Sequence, residues 1–424
     1  MTEMLNRRSV LKWAGALPLM GSIAADAAWQ KARAAVTGAA TGNIYSRIGV
    51  RSFINARGTW TYLSASLELP EVRAAKQEAA KHFVDIFELQ RAAGKRLAEL
   101  SGAESGMVTS GAAGAIASAT AACIAGTDPE KIWQLPDTTG LKSEVIMFGG
   151  RSAFDSAARL AGGKLVLART HDELQAAIGP NTAMIYTTRR GDQLKDAIAI
   201  AKQANVPLLL DDAAGIPPIE NLRLYAKMGA DLFCFSGGKG LCGPQCSGLL
   251  LGRKDLIDAA LANTSPWEGS VCRAMKVGKE EVMGCLAAVE AWQKRDLNAL
   301  NQEWTRTVKR VAALVETVPG VSTDISIPEG GNRYPTLTVS WDEQAWNFSI
   351  DDCDRALREG NPRIEVLTHS NPSLVPAVTA HRDPKTPRPN KLQIISMTMQ
   401  PGEDLIVGQR LREILKIARK NAKA

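Results

Sequence analysis

The run Ala230-Asp231-Leu232-Phe233-Cys234-Phe235-Ser236-Gly237-Gly238-Lys239-Gly240 places one lysine in a glycine-rich turn directly behind a short apolar segment. A lysine amine in that setting can form a Schiff base with a carbonyl-bearing cofactor, and a serine three residues earlier can reach the cofactor's phosphate. The glycines let the backbone approach closely and adopt unusual dihedrals. Together these residue types suit covalent binding of pyridoxal phosphate (PLP), with Lys239 as the Schiff-base lysine and Ser236 on the phosphate. A glycine-rich turn around a solvated lysine has the same composition, so the rest of the chain has to decide.

Upstream, Val206-Pro207-Leu208-Leu209-Leu210 reads as a strand buried on both faces, and it ends in Asp211-Asp212-Ala213-Ala214-Gly215. A carboxylate beyond the carboxyl end of a parallel strand faces the ligand crevice. Beside a pyridine nitrogen it favours the protonated ring, the better electron sink. Asp211 takes this role because Ala213, two residues on, offers a small side chain to the ring face. Asp212 is the alternative, and a helix N-cap explains one of the two aspartates equally well. Further upstream, Thr109-Ser110-Gly111-Ala112-Ala113-Gly114-Ala115 opens an alanine-rich helix. With Ser110 at the N-cap, its small residues leave the first N–H groups open to an anion, so Ser110, Gly111 and Ala112 are phosphate candidates. A tightly packed helix without a ligand would look similar. No metal set is expected, since Cys242 and Cys246 have no histidine near them.

These segments need a scaffold that points them at one place. Residues 72–101 read as a helix, and after the Ser110 helix come strand 144–148, helix 152–160, strand 164–167, helix 171–178, strand 183–186, helix 193–204 and strand 208–211. Alternation of this kind predicts an α/β fold with a mostly parallel, doubly wound sheet. Residues 280–318 look like one long helix bridging to a smaller α+β domain, with strands at 336–341, 364–367 and 392–397 and a last helix at 403–421. The expected organisation is a leader at 1–28, an N-terminal segment at 29–70, a large cofactor domain at 71–300 and a small domain at 301–424. Residues 381–390 form a proline-rich surface loop. Gly238-Lys239-Gly240-Leu241-Cys242-Gly243 matches a dinucleotide fingerprint, but Pro244-Gln245 opens no helix, so NAD binding is discounted.

The chain resembles fold-type-I PLP enzymes, in particular the group related to bacterial selenocysteine synthase and D-glucosaminate-6-phosphate ammonia-lyase. The resemblance rests on Ile54-Asn55-Ala56-Arg57-Gly58-Thr59, Leu69-Pro70-Glu71-Val72, the segment 109–115, and Gln134-Leu135-Pro136-Asp137-Thr138-Thr139-Gly140. It continues in the segments 211–215 and 235–245 and in Met275-Lys276-Val277-Gly278-Lys279-Glu280-Glu281. It implies the roles already given to Lys239, Asp211, Ser236, Ser110 and Gly111, and adds Arg273 as a residue that reaches phosphate across a homodimer interface. The chain departs from the group at Gly150-Arg151, where relatives tend to carry His-Arg, and at Cys242 and Cys246, which flank Gly243-Pro244-Gln245.

Asn6-Arg7-Arg8-Ser9-Val10-Leu11-Lys12, followed by a short apolar stretch and the small residues Ala25-Asp26-Ala27-Ala28, reads as a twin-arginine export leader. The expectation is a periplasmic enzyme that meets the twin-arginine export machinery and keeps no membrane anchor, the apolar run being short and broken by glycine and proline. At 424 residues, 45% hydrophobic and 5% aromatic, the chain can bury one large core and a smaller one. A net charge of +7 without a Lys/Arg run or interleaved aromatics gives no nucleic-acid signature. Seven cysteines are an odd count, and Cys123, Cys234 and Cys285 lie in apolar contexts that suggest buried thiols.

The expected chemistry is that of a lyase acting on an amino acid or amino sugar acid. Lys239 removes the α-proton, a β-substituent leaves, and ammonia and a 2-oxo acid follow. Arg57 is the first candidate for the substrate carboxylate, with Arg151 and Arg363 behind it. A transaminase, racemase, aldolase or selenium transferase-like enzyme shares the early steps, and a non-catalytic binding protein could keep the fold.

Overall fold

The computed structural model describes residues 43–329, 333–368 and 391–422. The leader and the proline-rich loop at 381–390 lie outside the described residues. Strands are β1 (Phe53–Ala56), β2 (Ser105–Thr109), β3 (Glu144–Phe148), β4 (Lys164–Ala168), β5 (Thr182–Thr187), β6 (Leu208–Asp211), β7 (Leu232–Ser236), β8 (Gly248–Gly252), β9 (Ser322–Ser326), β10 (Thr336–Ser340), β11 (Arg363–Val366) and β12 (Leu392–Ile395). Helices in the first half are α1 (Pro70–Ala79), α2 (Ile86–Ser101), α3 (Gly111–Ala125), α4 (Pro129–Gln134), α5 (Asp155–Leu160), α6 (His171–Ala177) and α7 (Gly191–Ala204). The second half adds α8 (Asn221–Met228), α9 (Lys254–Ala262), α10 (Lys279–Trp292), α11 (Leu297–Val315), α12 (Glu343–Trp346), α13 (Ile350–Glu359) and α14 (Glu403–Asn421).

The main sheet has seven strands in the order β2-β8-β7-β6-β5-β3-β4, parallel except for β8, which runs antiparallel to both its neighbours. Its inner strands are apolar on both faces. Leu208 and Leu210 of β6, Phe233 and Phe235 of β7, and Leu249 and Leu251 of β8 enter one core layer. Leu209, Leu232, Cys234 and Leu250, which point the other way, enter the second. Each such side chain contributes about 1.5–3 kcal/mol when fully buried, which explains why a run such as Leu-Leu-Leu forms a strand without alternating polarity.

Register then brings distant segments together. Gly248 pairs with Thr109 on one side and Ser236 on the other. A Cβ at Gly248 would stand 2.4 Å from the carbonyl carbon of Gly111, so only glycine permits this approach. The residues that follow β2 and those that end β7 thus meet across one backbone atom. Helix α2 seats on β2 in a similar way: a Cβ at Gly94 would lie 2.1 Å from the Gly106 carbonyl oxygen.

A third core lies under the antiparallel sheet β12-β10-β9 and the parallel pair β1-β11. Ile54 and Ala56 of β1 pack there with Val308 and Val311 of α11 and with Val407 and Leu411 of α14. The N-terminal segment therefore gives its strand to the C-terminal layer.

Two helices expected to be continuous are interrupted. The stretch 72–101 divides into α1 and α2, and the Asp85 side chain accepts the Glu88 N–H at 3.0 Å to start the second. The stretch 280–318 divides into α10 and α11, with Asp296 capping the Asn298 and Ala299 N–H groups. An aspartate in the middle of a helical pattern offers the backbone an acceptor and starts a new helix there. Strands β1, β2, β8 and β9 and helices α8, α9 and α13 complete the scaffold beyond what the alternating pattern predicts.

Candidate active site

Lys239 lies in the turn that leaves β7, three residues after Ser236. Its amine is 5.7 Å from the ring centre of Phe154. Burial depresses its pKa below the ordinary value, while the charges of Asp211, Cys234 and Asp212 oppose that shift without cancelling it. The amine is thereby biased toward the neutral, nucleophilic form.

Asp211 ends β6, the strand next to β7, and pairs in register with Cys234. Its carboxylate accepts the Tyr186 hydroxyl at 2.6 Å, the Ala213 N–H at 3.1 Å and the Cys234 thiol at 3.7 Å. Burial, and then the Asp211 charge, push the Tyr186 hydroxyl well above its usual pKa, so it remains a donor. Asp212 faces elsewhere. It is 1% exposed, accepts the Tyr225 hydroxyl at 2.5 Å and forms an ion pair with Arg190. Two adjacent aspartates thus have separate duties, and Asp212 is already neutralised by an arginine.

Helix α3 begins with its Ser110 hydroxyl making no capping bond and with no acidic residue in its first turn. Gly111 has φ +73. The Thr109 hydroxyl donates to the Gly111 carbonyl at 2.9 Å, and the N–H groups of Gly111 and Ala112 belong to the first turn of the helix. Ser236 is positioned by its own N–H, which donates to the Ala213 carbonyl at 3.1 Å. Ala213 therefore joins the aspartate strand to the serine that precedes the lysine turn.

The residues fit a PLP molecule. A buried carboxylate, a buried amine and an uncapped helix end, with Ser236 paired to Gly248 beside it, are the groups that a pyridine nitrogen, an aldehyde and a phosphate would need. The group would be held by Lys239, Asp211, Ser110, Gly111, Ala112 and Ser236, with Ala213 at the ring.

The arginines expected at the substrate are all engaged within the chain. Arg57 is buried and donates through Nη1 to the Val366 carbonyl at 2.8 Å, its Nε buried without an acceptor and its guanidinium 5.9 Å from the ring centres of Trp60 and Tyr62. Arg151 forms an ion pair with buried Asp155. Arg363 does the same with buried Glu365, one Nε bond measuring 2.8 Å. Arg273 is fixed by its backbone N–H, which donates to the Ser270 carbonyl at 2.9 Å, and its guanidinium has no ion pair among the described residues. Two residues absent from the sequence-based candidates stand at the site: Tyr186, bonded to Asp211, and Phe154, beside the Lys239 amine. A tyrosine inside a strand of buried residues looks like core, and only the neighbouring strand's aspartate gives it a role.

All seven cysteines are free. Cys242 is buried with φ +54, and burial pushes its thiol up to about 11, so it is not a ready nucleophile at neutral pH. Cys246 is exposed. Among the described residues no His/Cys/Asp/Glu cluster suits a metal ion, and no helix is long and apolar enough to cross a membrane.

Residues 168–324 match the aminotransferase class-V family model. The chain is 29% identical over 395 residues to D-glucosaminate-6-phosphate ammonia lyase of Salmonella typhimurium, covering 89% of this chain and 99% of that one. It is 32% identical over 339 residues to 5'-C-glycyluridine monooxygenase-decarboxylase of a Streptomyces species, covering 76% and 83%. A solved structure of D-glucosaminate-6-phosphate ammonia-lyase superposes with a TM-score of 0.74 at 29% identity, over 89% of this chain and 99% of the other.

Lys239 generates a pH-dependent expectation for the cofactor-free protein. Its folded pKa lies below the ordinary 10.5. Between those two values the unfolded chain binds more protons, so stability rises with pH across that window. Below it, burying the charged amine costs its full amount. Lys239→Met should therefore be more stable than wild type at neutral pH, with an advantage that shrinks as pH approaches 10.5. Urea unfolding across a pH series measures this, and an advantage independent of pH would refute it.

Proposed function

The chain belongs to the aminotransferase-like family of fold-type-I PLP enzymes, and from that premise we propose that it is a PLP-dependent lyase acting on an amino acid or amino sugar acid. The observation that carries the proposal is the buried Lys239 amine, set one strand away from a hydrogen-bonded Asp211, in the turn that leaves the strand whose end, Ser236, pairs with Gly248 beside the uncapped start of α3. PLP bound there supplies an electron sink for a substrate carbon that gives up its proton. Lys239, with a depressed pKa, accepts that α-proton. Asp211 supplies negative charge at the far end of the site, and the Tyr186 hydroxyl and Ala213 N–H hold it in place. Ser110, Gly111, Ala112 and Ser236 anchor the phosphate, and Phe154 borders the amine. Loss of a β-substituent with its bonding electrons, then hydrolysis, releases ammonia and a 2-oxo acid with no net oxidation.

The alternatives are another PLP enzyme, such as a transaminase, racemase, aldolase or selenium transferase-like enzyme, and a non-catalytic binding protein. Stoichiometric ammonia release distinguishes the lyase from all of them. The first test is an absorbance spectrum of the wild type beside Lys239→Ala. The expected result is a visible band in the wild type that borohydride removes and that the variant lacks. A wild type without that band after incubation with PLP would falsify the cofactor assignment.

A homodimer fits the surface. Phe83 is 103% exposed in the turn before α2, next to half-exposed Val84, and Trp267 meets Phe87 edge to face at 4.9 Å between ring centres. Aromatic surface of this kind marks an interface, and Arg273 would serve the partner's phosphate site across it. Phe83→Asp should shift the sedimentation coefficient from dimer toward monomer. A monomeric wild type would rule the dimer out.

Arg7-Arg8 and the segment after it support export to the periplasm through the twin-arginine machinery. Replacing both arginines with lysine should move the protein from the periplasmic to the cytoplasmic fraction. An unchanged distribution would argue against this route.

A further inference from the structure

Arg189 stands two residues beyond the end of β5 and three beyond Tyr186. Its neighbours are tightly committed: Tyr186 to Asp211, and Arg190 to Asp212. Arg189 itself has no ion pair and donates no side-chain hydrogen bond among the described residues, and its Nε is buried without an acceptor. Its backbone is fixed. The Arg189 N–H donates to the Thr187 hydroxyl at 3.0 Å, and that hydroxyl donates to the Phe148 carbonyl at 3.0 Å. The ends of β3 and β5 are therefore tied together, and the guanidinium is aimed from a rigid base.

The side chain runs across Gly149. A Cβ there would meet Nε at 3.0 Å, Cδ at 3.6 Å and Cγ at 3.7 Å. Gly149 also has φ +117, so two constraints keep this position open. The turn that begins at Gly149 continues through Gly150, Arg151 and Ser152, whose hydroxyl accepts the Phe154 N–H at 3.2 Å, to Phe154 beside the Lys239 amine. One short turn thus has Arg189 at its start and the proposed catalytic lysine at its end, at the carboxyl ends of parallel strands where ligands bind.

The orphan donor argues against a purely structural role. A buried donor left without a partner destabilises the fold. Among the described residues its compensation is the Phe148 ring, 5.9 Å from the guanidinium carbon. A cation–ring contact at that range offsets only part of the cost. The deficit is removed by an external acceptor, and a planar two-oxygen anion matches the guanidinium fork.

We propose that Arg189 binds the carboxylate of the substrate and so sets the enzyme's requirement for an acidic group. The proposal rests on the lyase reading above. Arg57 shares the orphan Nε but already donates through Nη1 to the Val366 carbonyl, and Arg151 and Arg363 are ion-paired with Asp155 and Glu365.

The test is calorimetric titration of pyruvate, succinate and inorganic phosphate into PLP-loaded protein, where the cofactor's own phosphate fills the helix end. Wild type, Arg189→Gln and Arg189→Lys are compared. The wild type should bind the carboxylates. Arg189→Gln should weaken them at least ~10-fold, and Arg189→Lys should recover part of the loss because it keeps charge without the fork. The visible band of the loaded protein should be the same in all three, which shows that the site has not collapsed. Equal carboxylate affinity in wild type and Arg189→Gln, or no carboxylate binding by the wild type, overturns the proposal. Arg189-dependent binding of phosphate in preference to carboxylates overturns the assigned chemical class. A wild type that takes up no PLP sinks the lyase reading instead, and the same carboxylate titrations on that cofactor-free protein still decide the role of Arg189.

Discussion

A carboxylate at the end of an otherwise apolar strand is the constraint around which this molecule is arranged. Leu208, Leu209 and Leu210 lead to Asp211 with no exposed atom between them to ease its burial. A buried polar group without partners costs several kcal/mol, so the surroundings must supply donors. Tyr186 provides one from β5, Cys234 another from β7, and the chain's own turn at Ala213 a third. Each comes from a different element, so the donor set exists only when three adjacent strands are in register. The same charge raises the Tyr186 pKa and opposes the drop at Lys239. Strand register and the donor state of Tyr186 thus both serve one buried anion, while the lowered Lys239 pKa comes from burial in spite of it.

Glycine makes the other half of the site possible. Gly248 sits between the ends of β2 and β7 and lets the start of α3 approach within contact of the sheet. A side chain there would separate Ser110 from Ser236. The reversal of β8 in a parallel sheet therefore has a local use, since it presents its first residue to both neighbours at once.

Much of this was legible in the sequence, for reasons that differ by residue. Strands β3 and β6 and helix α14 follow directly from unbroken apolar runs or helical periodicity. The Lys239 turn and the Asp211 strand end stood out because charged residues directly after buried strands are unusual. Other features depended on partners far away in the chain. Arg57, Arg151 and Arg363 read as free cations until Val366, Asp155 and Glu365 are placed beside them. Arg189 presents the reverse case, an arginine in a helix-initiating sequence whose lack of an ion-pair partner among the described residues is visible only in three dimensions. The breaks at Asp85 and Asp296 were hidden because helical periodicity continues across them, while the capping bonds that make the breaks are short-range and specific.

The pairing of β1 with β11 has a consequence for how the protein is made. Residues 53–56 wait for residues 363–366 before their backbone bonds can close. The segment after β1 covers the lysine turn: the Ser66 N–H and hydroxyl donate to the Gly238 carbonyl at 3.0 and 2.7 Å, and the Leu69 N–H donates to the Cys242 carbonyl at 3.0 Å. At about 5–20 residues per second on the ribosome, roughly 300 intervening residues take on the order of 15–60 s to emerge. Throughout that interval one strand of the C-terminal layer is already synthesised but has no neighbour to pair with. The cover over Lys239 can form as soon as residue 242 has emerged, but the strand that leads into it is anchored to the C-terminal layer only when residues 363–366 arrive.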